Sequence, residues 1–341
     1  MAKAPPFIET LVTSTRIRLA RNLAAYPFPE KLDATLAGEI VHLVGNELSK
    51  LDEFERNDIN KISAEEAVLL QEQHLISPAL IRRKHIGAAF VSSDKCISVM
   101  VNEEDHLREQ YICKGFDLYN AYERISGVDE VLGASLNFAY DKKLGYLTAC
   151  PSNVGTGMRA SVMMFLPALA ISKELENFLP TLKAGGLTVR GVFGEGSSAE
   201  GYSYQVSNER TLGQSEGDIL DTVMRMTMNL CDLELRAREK LLQEKKIPLR
   251  DACLRAYGTL TNCAVLTQKE LTSSMVKVKL GMALRFFEAR DIEAFNVFLA
   301  DMRPASFRIE NGLQGASEYD CNLMRAEIVH KVLPELVVRA D

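Results

Sequence analysis

IGAAFVSSDKCISVMVN, residues 86–102, holds two apolar runs, 86–92 and 96–102, around Ser93-Asp94-Lys95. Short apolar runs flanking a polar, turn-forming trio predict a β-hairpin. Working outward, residues 132–140 and 145–150 flank Asp141-Lys142-Lys143-Leu144 in the same way and predict a second hairpin. Residues 187–193 and 202–207 add two strand-like runs. Helical spacing marks 33–75, 103–124 and 157–176, and Pro5, Pro6, Pro27 and Pro29 make residues 1–30 extended arms. Several strands joined by short turns with helices between them predict an α+β domain whose antiparallel or mixed β-sheet is flanked by helices. Past about residue 213 strand signals stop. Residues 216–247 and 264–340 are helical in pattern, with breaks near Pro248, Gly258 and Pro304. The expected organisation is a catalytic domain over 1–248 and a helical, dimer-forming or regulatory domain over 249–341.

The chain has 341 residues, a 47% hydrophobic content and a net charge of −6. That is enough for a large core, and it gives no overall basic footprint for nucleic acid. Seven cysteines without a CxxC pair argue against a disulfide framework or a thiolate zinc site. MAKAPPFIET lacks a basic end followed by an apolar run, and no stretch reaches the ~20 apolar residues of a membrane span. A reduced, cytoplasmic protein is expected.

Four segments carry chemistry. In STRIRLARN, 14–22, Arg16 and Arg18 of an extended strand point to one face, where two guanidinium forks grip a polyphosphate. In NEEDHLR, 102–108, Asn102 reads as a helix N-cap, with Glu103, Glu104 and Asp105 in an acidic first turn. One of these carboxylates is expected to hold a cationic substrate while Arg108 reaches a phosphate. In CPSNVGTGMRASVM, 150–163, a two-glycine turn is expected to bring backbone close to a ligand and to open a helix with Arg159 in its first turns. The GxxxxGK[ST] phosphate loop is absent. VRGVFGEGSSAEG, 189–201, has four glycines in thirteen residues, the composition of a closing loop, with Arg190 beside it. Several arginines around one anion, with carboxylates adjacent, is what phosphoryl transfer requires.

These strings, with YQVSNERTLG at 204–213, resemble the ATP:guanido phosphotransferases, the group of creatine and arginine kinases, over nearly the whole chain. YPFP at 26–29, HLISP at 74–78 and RAYG at 255–258 resemble its bacterial protein-arginine kinase branch, as does the short N-terminal region. The resemblance implies Mg²⁺ and ATP, whose phosphates would be clamped by Arg16, Arg18, Arg108, Arg159 and Arg190. Ser14, Thr15, Ile17, His74, Ala160, Ser161, Val162, Met163, Gly191, Val192, Phe193, Gly194 and Glu195 would complete the nucleotide site. Glu104 would bind and orient the guanidinium, Cys150 would tune it as a thiolate, and Glu195 would assist. It further implies protein substrates phosphorylated on arginine, a stress-response role, a zinc-binding McsA-like activator, a Clp-type protease system and a homodimer.

Two departures stand out. Ser198 occupies the position of the family's second loop glutamate, for which Glu195 or Glu200 would have to substitute by a loop shift. In the helical region, the branch's phosphoarginine-reading RDxxRA pattern becomes Cys321-Asn322-Leu323-Met324-Arg325-Ala326, a degenerate pocket that keeps Arg325 and replaces the aspartate with Asn322. Two other functions therefore stand beside the protein-arginine kinase: a kinase of a free guanidino metabolite, and a catalytically weakened regulator.

Overall fold

The computed structural model of the chain describes residues 10–51, 54–191 and 201–340. Elements run β1 (Val12–Arg21), α1 (Ala34–Leu48), β2 (Phe54–Asp58), α2 (Ala64–Glu72), α3 (Pro78–Arg82), β3 (Ala88–Ser92), β4 (Ile97–Val101), β5 (Leu107–Lys114) and α4 (Leu118–Leu136). They continue with β6 (Tyr140–Asp141), β7 (Gly145–Tyr146), β8 (Met158–Phe165), α5 (Pro167–Ile171), α6 (Glu174–Ala184), β9 (Leu187–Gly191) and β10 (Ser203–Asn208). The remainder is α7 (Glu216–Leu260), α8 (Gln268–Ala283), β11 (Phe287–Ala289), α9 (Ile292–Asp301), α10 (Pro304–Glu310), α11 (Glu318–Leu336) and β12 (Val337–Arg339).

The chain divides into two compact units. Of the described residues, the first unit holds those up to Phe165, with Asn177–Arg190 and Tyr204–Cys231. Its centre is an eight-stranded sheet in the order β2-β3-β4-β5-β1-β8-β10-β9. The pairings from β2 through β5 and β1 to β8 are antiparallel. Helix α4 lies on β1 and β5 and also meets α1. Its buried Ala121, Ile125, Val128 and Leu132 recur at helical spacing and cover Ile17 and Leu19 of β1 on one face of the sheet. The opposite face of β1, β5 and β8 carries the polar residues of the site.

The second unit holds Leu166–Glu176, the described part of Gly191–Ser203, and the residues from Asp232 onward. Its core joins Val278, Phe295, Phe307, Val329 and Leu333. Helix α8 passes so close to Phe287 that a Cβ on Gly281 would lie 2.3 Å from its ring, which requires glycine there. Helix α7 kinks at Lys245, three residues before Pro248, whose ring cannot fit against the carbonyl four residues back.

The hairpin at 86–102 forms as β3 and β4, and the α+β class holds. Five expectations do not. Residues 33–75 are not helical throughout, because the edge strand β2 interrupts them; its charges read as helix surface, yet charge is common on a sheet edge. Residues 103–124 and 157–176 begin as strands β5 and β8 and not as helices. Both strands bury polar side chains, Glu109 and Gln110 on β5 and Ser161 on β8, which erases the alternation that marks a half-buried strand. The stretch 132–136 ends α4, capped by Asn137 at φ 46°, so the second hairpin shrinks to β6 and β7. The helical region also contains a strand pair, β11 with β12.

Candidate active site

Strand register assembles the arginines. Across β1, Arg18 faces Arg159 of β8 and Ala20 faces Arg108 of β5. Paired residues of antiparallel neighbours share a face, so Arg16, Arg18, Arg108 and Arg159 stand together. Arg190 on β9 adds its field to Arg159. These cations repel one another. Burial, then the charges of Arg108 and Arg159, pull Arg16 down to about 10. Burial, then Arg16, Arg108 and Arg159, lower Arg18 further. The Nε of Arg18 is buried without a hydrogen-bond partner. A cluster of like charges with an unpartnered donor favours the binding of a polyanion.

Neighbours hold this face in shape. Ser207 Oγ accepts from Arg159 Nε and Nη2 at 3.2 and 3.0 Å. Gln205 donates to Ser161 Oγ at 3.0 Å. Gln110, beside Arg18, donates to the carbonyl of His74 at 2.6 Å and draws that residue over the arginines. Thr15 and Ile17 are buried on the other side of β1, as are Ala160 and Val162 on β8, so their side chains face away from the arginines, whereas Ser14, Ser161 and Met163 alternate onto the arginine face. Gly191 ends β9. Val192, Phe193, Gly194, Glu195, Ser198 and Glu200 lie outside the described residues.

The acidic triplet is not a helix start. Asn102 takes φ 60° and its N–H donates to the carbonyl of His106 at 2.9 Å, closing a tight turn between β4 and β5. The three carboxylates then diverge. Glu103 is 2% exposed, pairs with Arg108 Nη1 at 2.7 Å and accepts from Ser77 Oγ at 2.5 Å. Asp105 is buried and accepts from Asn22 Nδ2 and Ala149 N–H, each at 2.6 Å. Its burial raises its pKa, which those hydrogen bonds partly counter. Glu104 alone is exposed, at 45%, with Oε2 3.4 Å from Arg108 Nη2. An anchored anion on either side fixes a free one at the tip of the turn.

Asp105 also places Cys150, through Ala149. The Cys150 Sγ is 3.0 Å from Ser152 Oγ and lies within electrostatic reach of Arg159. The glycines that follow are not a phosphate cradle. A Cβ on Gly155 would lie 2.2 Å from the Thr211 carbonyl, and one on Gly157 would lie 2.5 Å from Arg21 Nη1. Both take positive φ and pack the turn against its own fold, and Arg159 follows on a strand. Its presence is explained by register with Arg18 and not by a helix dipole. Asn22 is the organiser that sequence reading passed over. Its side chain donates to Asp105 and to Leu147 O and accepts from His106 N–H. The signal was present, since Asn22 ends STRIRLARN and Asp105 lies inside NEEDHLR.

With this geometry in hand, residues 37–237 match the family described as ATP:guanido phosphotransferase, C-terminal catalytic domain. The chain belongs to the ATP:guanido phosphotransferase family. Residues 246–339 match the protein-arginine kinase McsB C-terminal domain, so the two matches leave uncovered the segment of α7 that ends at the Lys245 kink. A protein-arginine kinase of Shouchella clausii is 42% identical over 283 residues, 82% of this chain and 79% of that protein. One of Caldanaerobacter subterraneus is 36% identical over 326 residues, 94% of this chain and 96% of that protein. A crystal structure of lombricine kinase superposes with TM-score 0.60 at 25% identity, covering 67% of each chain. The antiparallel sheet and its flanking helices are thus the architecture of a guanidino kinase.

In the second unit the Cys321–Ala326 stretch of α11 turns Arg325 inward. Arg325 is 2% exposed, donates from Nη1 to Leu266 O at 3.0 Å and Asn322 Oδ1 at 2.5 Å, and stacks over Phe307.

Proposed function

We propose that this chain is a protein-arginine kinase that transfers the γ-phosphoryl group of ATP to arginine side chains of proteins. The observation that carries the reading is one exposed carboxylate, Glu104, beside a face of four arginines, Arg16, Arg18, Arg108 and Arg159, with Arg190 near Arg159. Arg16, Arg18, Arg108, Arg159 and Arg190 would hold the polyphosphate, and the buried, unpartnered Arg18 Nε fits such an anion. Magnesium ion, bound to the phosphates, would supply further charge neutralisation and hold their oxygens in place. Glu104 would receive the acceptor guanidinium through paired N–H donors and fix its terminal nitrogen toward the γ-phosphorus. A bond forms from that nitrogen to phosphorus, the bond to the β,γ-bridging oxygen breaks, ADP leaves, and Glu104 accepts the proton the nitrogen loses. Cys150 would act electrostatically, beside Arg159.

Glu195 is proposed as a second carboxylate for the acceptor. The catalytic part would comprise 1–248, and 249–341 would form a helical domain for dimerisation and regulation. The turned-in Arg325 supports weak phosphoarginine reading in that domain. A cytoplasmic place, a stress-response role, a McsA-like activator and a Clp-type protease partner belong to the same reading.

The test is a transfer assay with Mg-ATP, comparing an arginine-containing protein with free arginine. Acid-labile, base-tolerant phosphate on the protein, reduced at least about 100-fold in Glu104→Ala, is expected. Phosphorylation of free arginine alone would replace this reading with a metabolite kinase, and nucleotide binding without transfer to either would leave a regulator.

A further inference from the structure

Beside Glu104 lies a cleft of about 820 Å³, lined by Phe28, Lys31, Arg82, Arg83, Glu104 and Ala149 among others. Its size is that of a site for a drug-sized ligand, larger than one guanidinium needs.

Two segments that line the cleft are tied to the turn that carries Glu104. On one side, His106 Nε2 donates to the Pro27 carbonyl at 2.9 Å while its Nδ1 accepts from Leu23 N–H at 3.0 Å. The rings of Tyr26 and Phe28 meet His106 edge-on. On the other side, Ser77 caps α3 by accepting from Leu80 N–H and donates to Glu103. Glu103 and His106, one residue before and two residues after Glu104, therefore tie the turn to both segments that line the cleft.

The charge of the cleft is one-sided. Glu103 is neutralised by Arg108. Once a target guanidinium pairs with Glu104, the rim keeps three cations, Lys31, Arg82 and Arg83, against one anion, Glu30. None of these three cations forms an ion pair among the described residues. Phe28, 36% exposed, adds an apolar surface.

We infer that this cleft receives the polypeptide flanking the target arginine and selects segments with acidic residues next to it. The inference rests on the kinase reading, for which Glu104 holds the acceptor. Charges on such a rim act through complementarity with the partner and are screened by salt. Selection of a polypeptide and not a free guanidino compound follows from the volume of the cleft, about 820 Å³, which exceeds what one guanidinium fills.

The test is fluorescence anisotropy of the full chain, without ATP, against labelled peptides with one arginine flanked by aspartates or by lysines. The aspartate peptide is expected to bind about fivefold tighter or more at low ionic strength, with the ratio shrinking as salt rises. Lys31→Glu and Arg82→Glu, both at exposed positions, are each expected to remove most of that ratio. Lys114→Glu, about 23 Å along β5 from Leu107 at the strand's rise per residue, is expected to preserve it. Equal binding of the two peptides, or a ratio untouched by both cleft variants, would overturn the inference. Adding Mg-ATP separates it from its parent: a binding preference without phosphoryl transfer sinks the kinase reading and leaves the cleft assignment standing.

Discussion

One strand, β1, presents a buried arginine, Arg21, and a half-buried one, Arg18, to two faces of the same sheet, and they behave oppositely. Arg21, on the helix-covered face, is gripped by Asp129 through Nε at 2.8 Å and Nη2 at 2.9 Å and lies 3.5 Å over the Tyr146 ring. Burial pulls its pKa down, but Asp129 more than offsets this, and the net shift is upward. Burial, then the Asp129 charge, push the pKa of the adjacent Glu109 well above the usual carboxylate range, with Arg21 acting partly against them. Arg18, on the open face, shares part of that burial but has other arginines as its neighbours, and is shifted down. The first arginine is paired within the fold; the second keeps a buried Nε without a hydrogen-bond partner. Sites of function keep unsatisfied what the rest of the protein satisfies.

The sharpest break of this contrast is Arg21→Ala. It strands Asp129 beside Glu109 in the core and is expected to destabilise the chain by about 3–5 kcal/mol, read from urea unfolding midpoints. A midpoint near wild type would mean that Arg21 is not the strut described. Arg18→Met should do the reverse. Stability is expected to hold or to rise by up to about 2 kcal/mol as mutual repulsion is relieved, while ATP affinity falls about 10- to 100-fold. Calorimetric titration with ATP checks this, and undiminished affinity would remove Arg18 from the phosphate site.

A smaller effect sharpens the comparison at the turn between the faces. Burial lowers the pKa of His106 from the ordinary 6.5, with the Pro27 carbonyl acting partly against that. The folded state therefore holds the neutral ring, which accepts from Leu23 N–H. Above 6.5 both folded and unfolded chains are neutral there and His106 contributes no pH dependence. As pH falls through 6.5 the unfolded chain takes up the proton first, so stability drops with acid. His106→Gln is expected to flatten that slope between pH 7 and 5 in melting curves. An unchanged slope would assign the acid sensitivity to other groups.

By itself the sequence determined the residue types and the family. STRIRLARN and NEEDHLR contain Arg16, Arg18, Arg108 and Glu104, and the hairpin at 86–102 sets the α+β class, because β3 and β4 are buried along their whole length and so stand out as continuous apolar runs around a polar turn. What only the tertiary structure decided is how those residues meet. Strands β5 and β8 were hidden because the arginine face and the Arg21–Asp129–Glu109 cluster place polar groups on both sides of the central sheet, where period-two hydrophobicity should be. The separate duties of Glu103, Glu104 and Asp105 were likewise illegible. They depend on Ser77, Asn22 and Ala149, residues distant in sequence, and no local spacing records which carboxylate is left free.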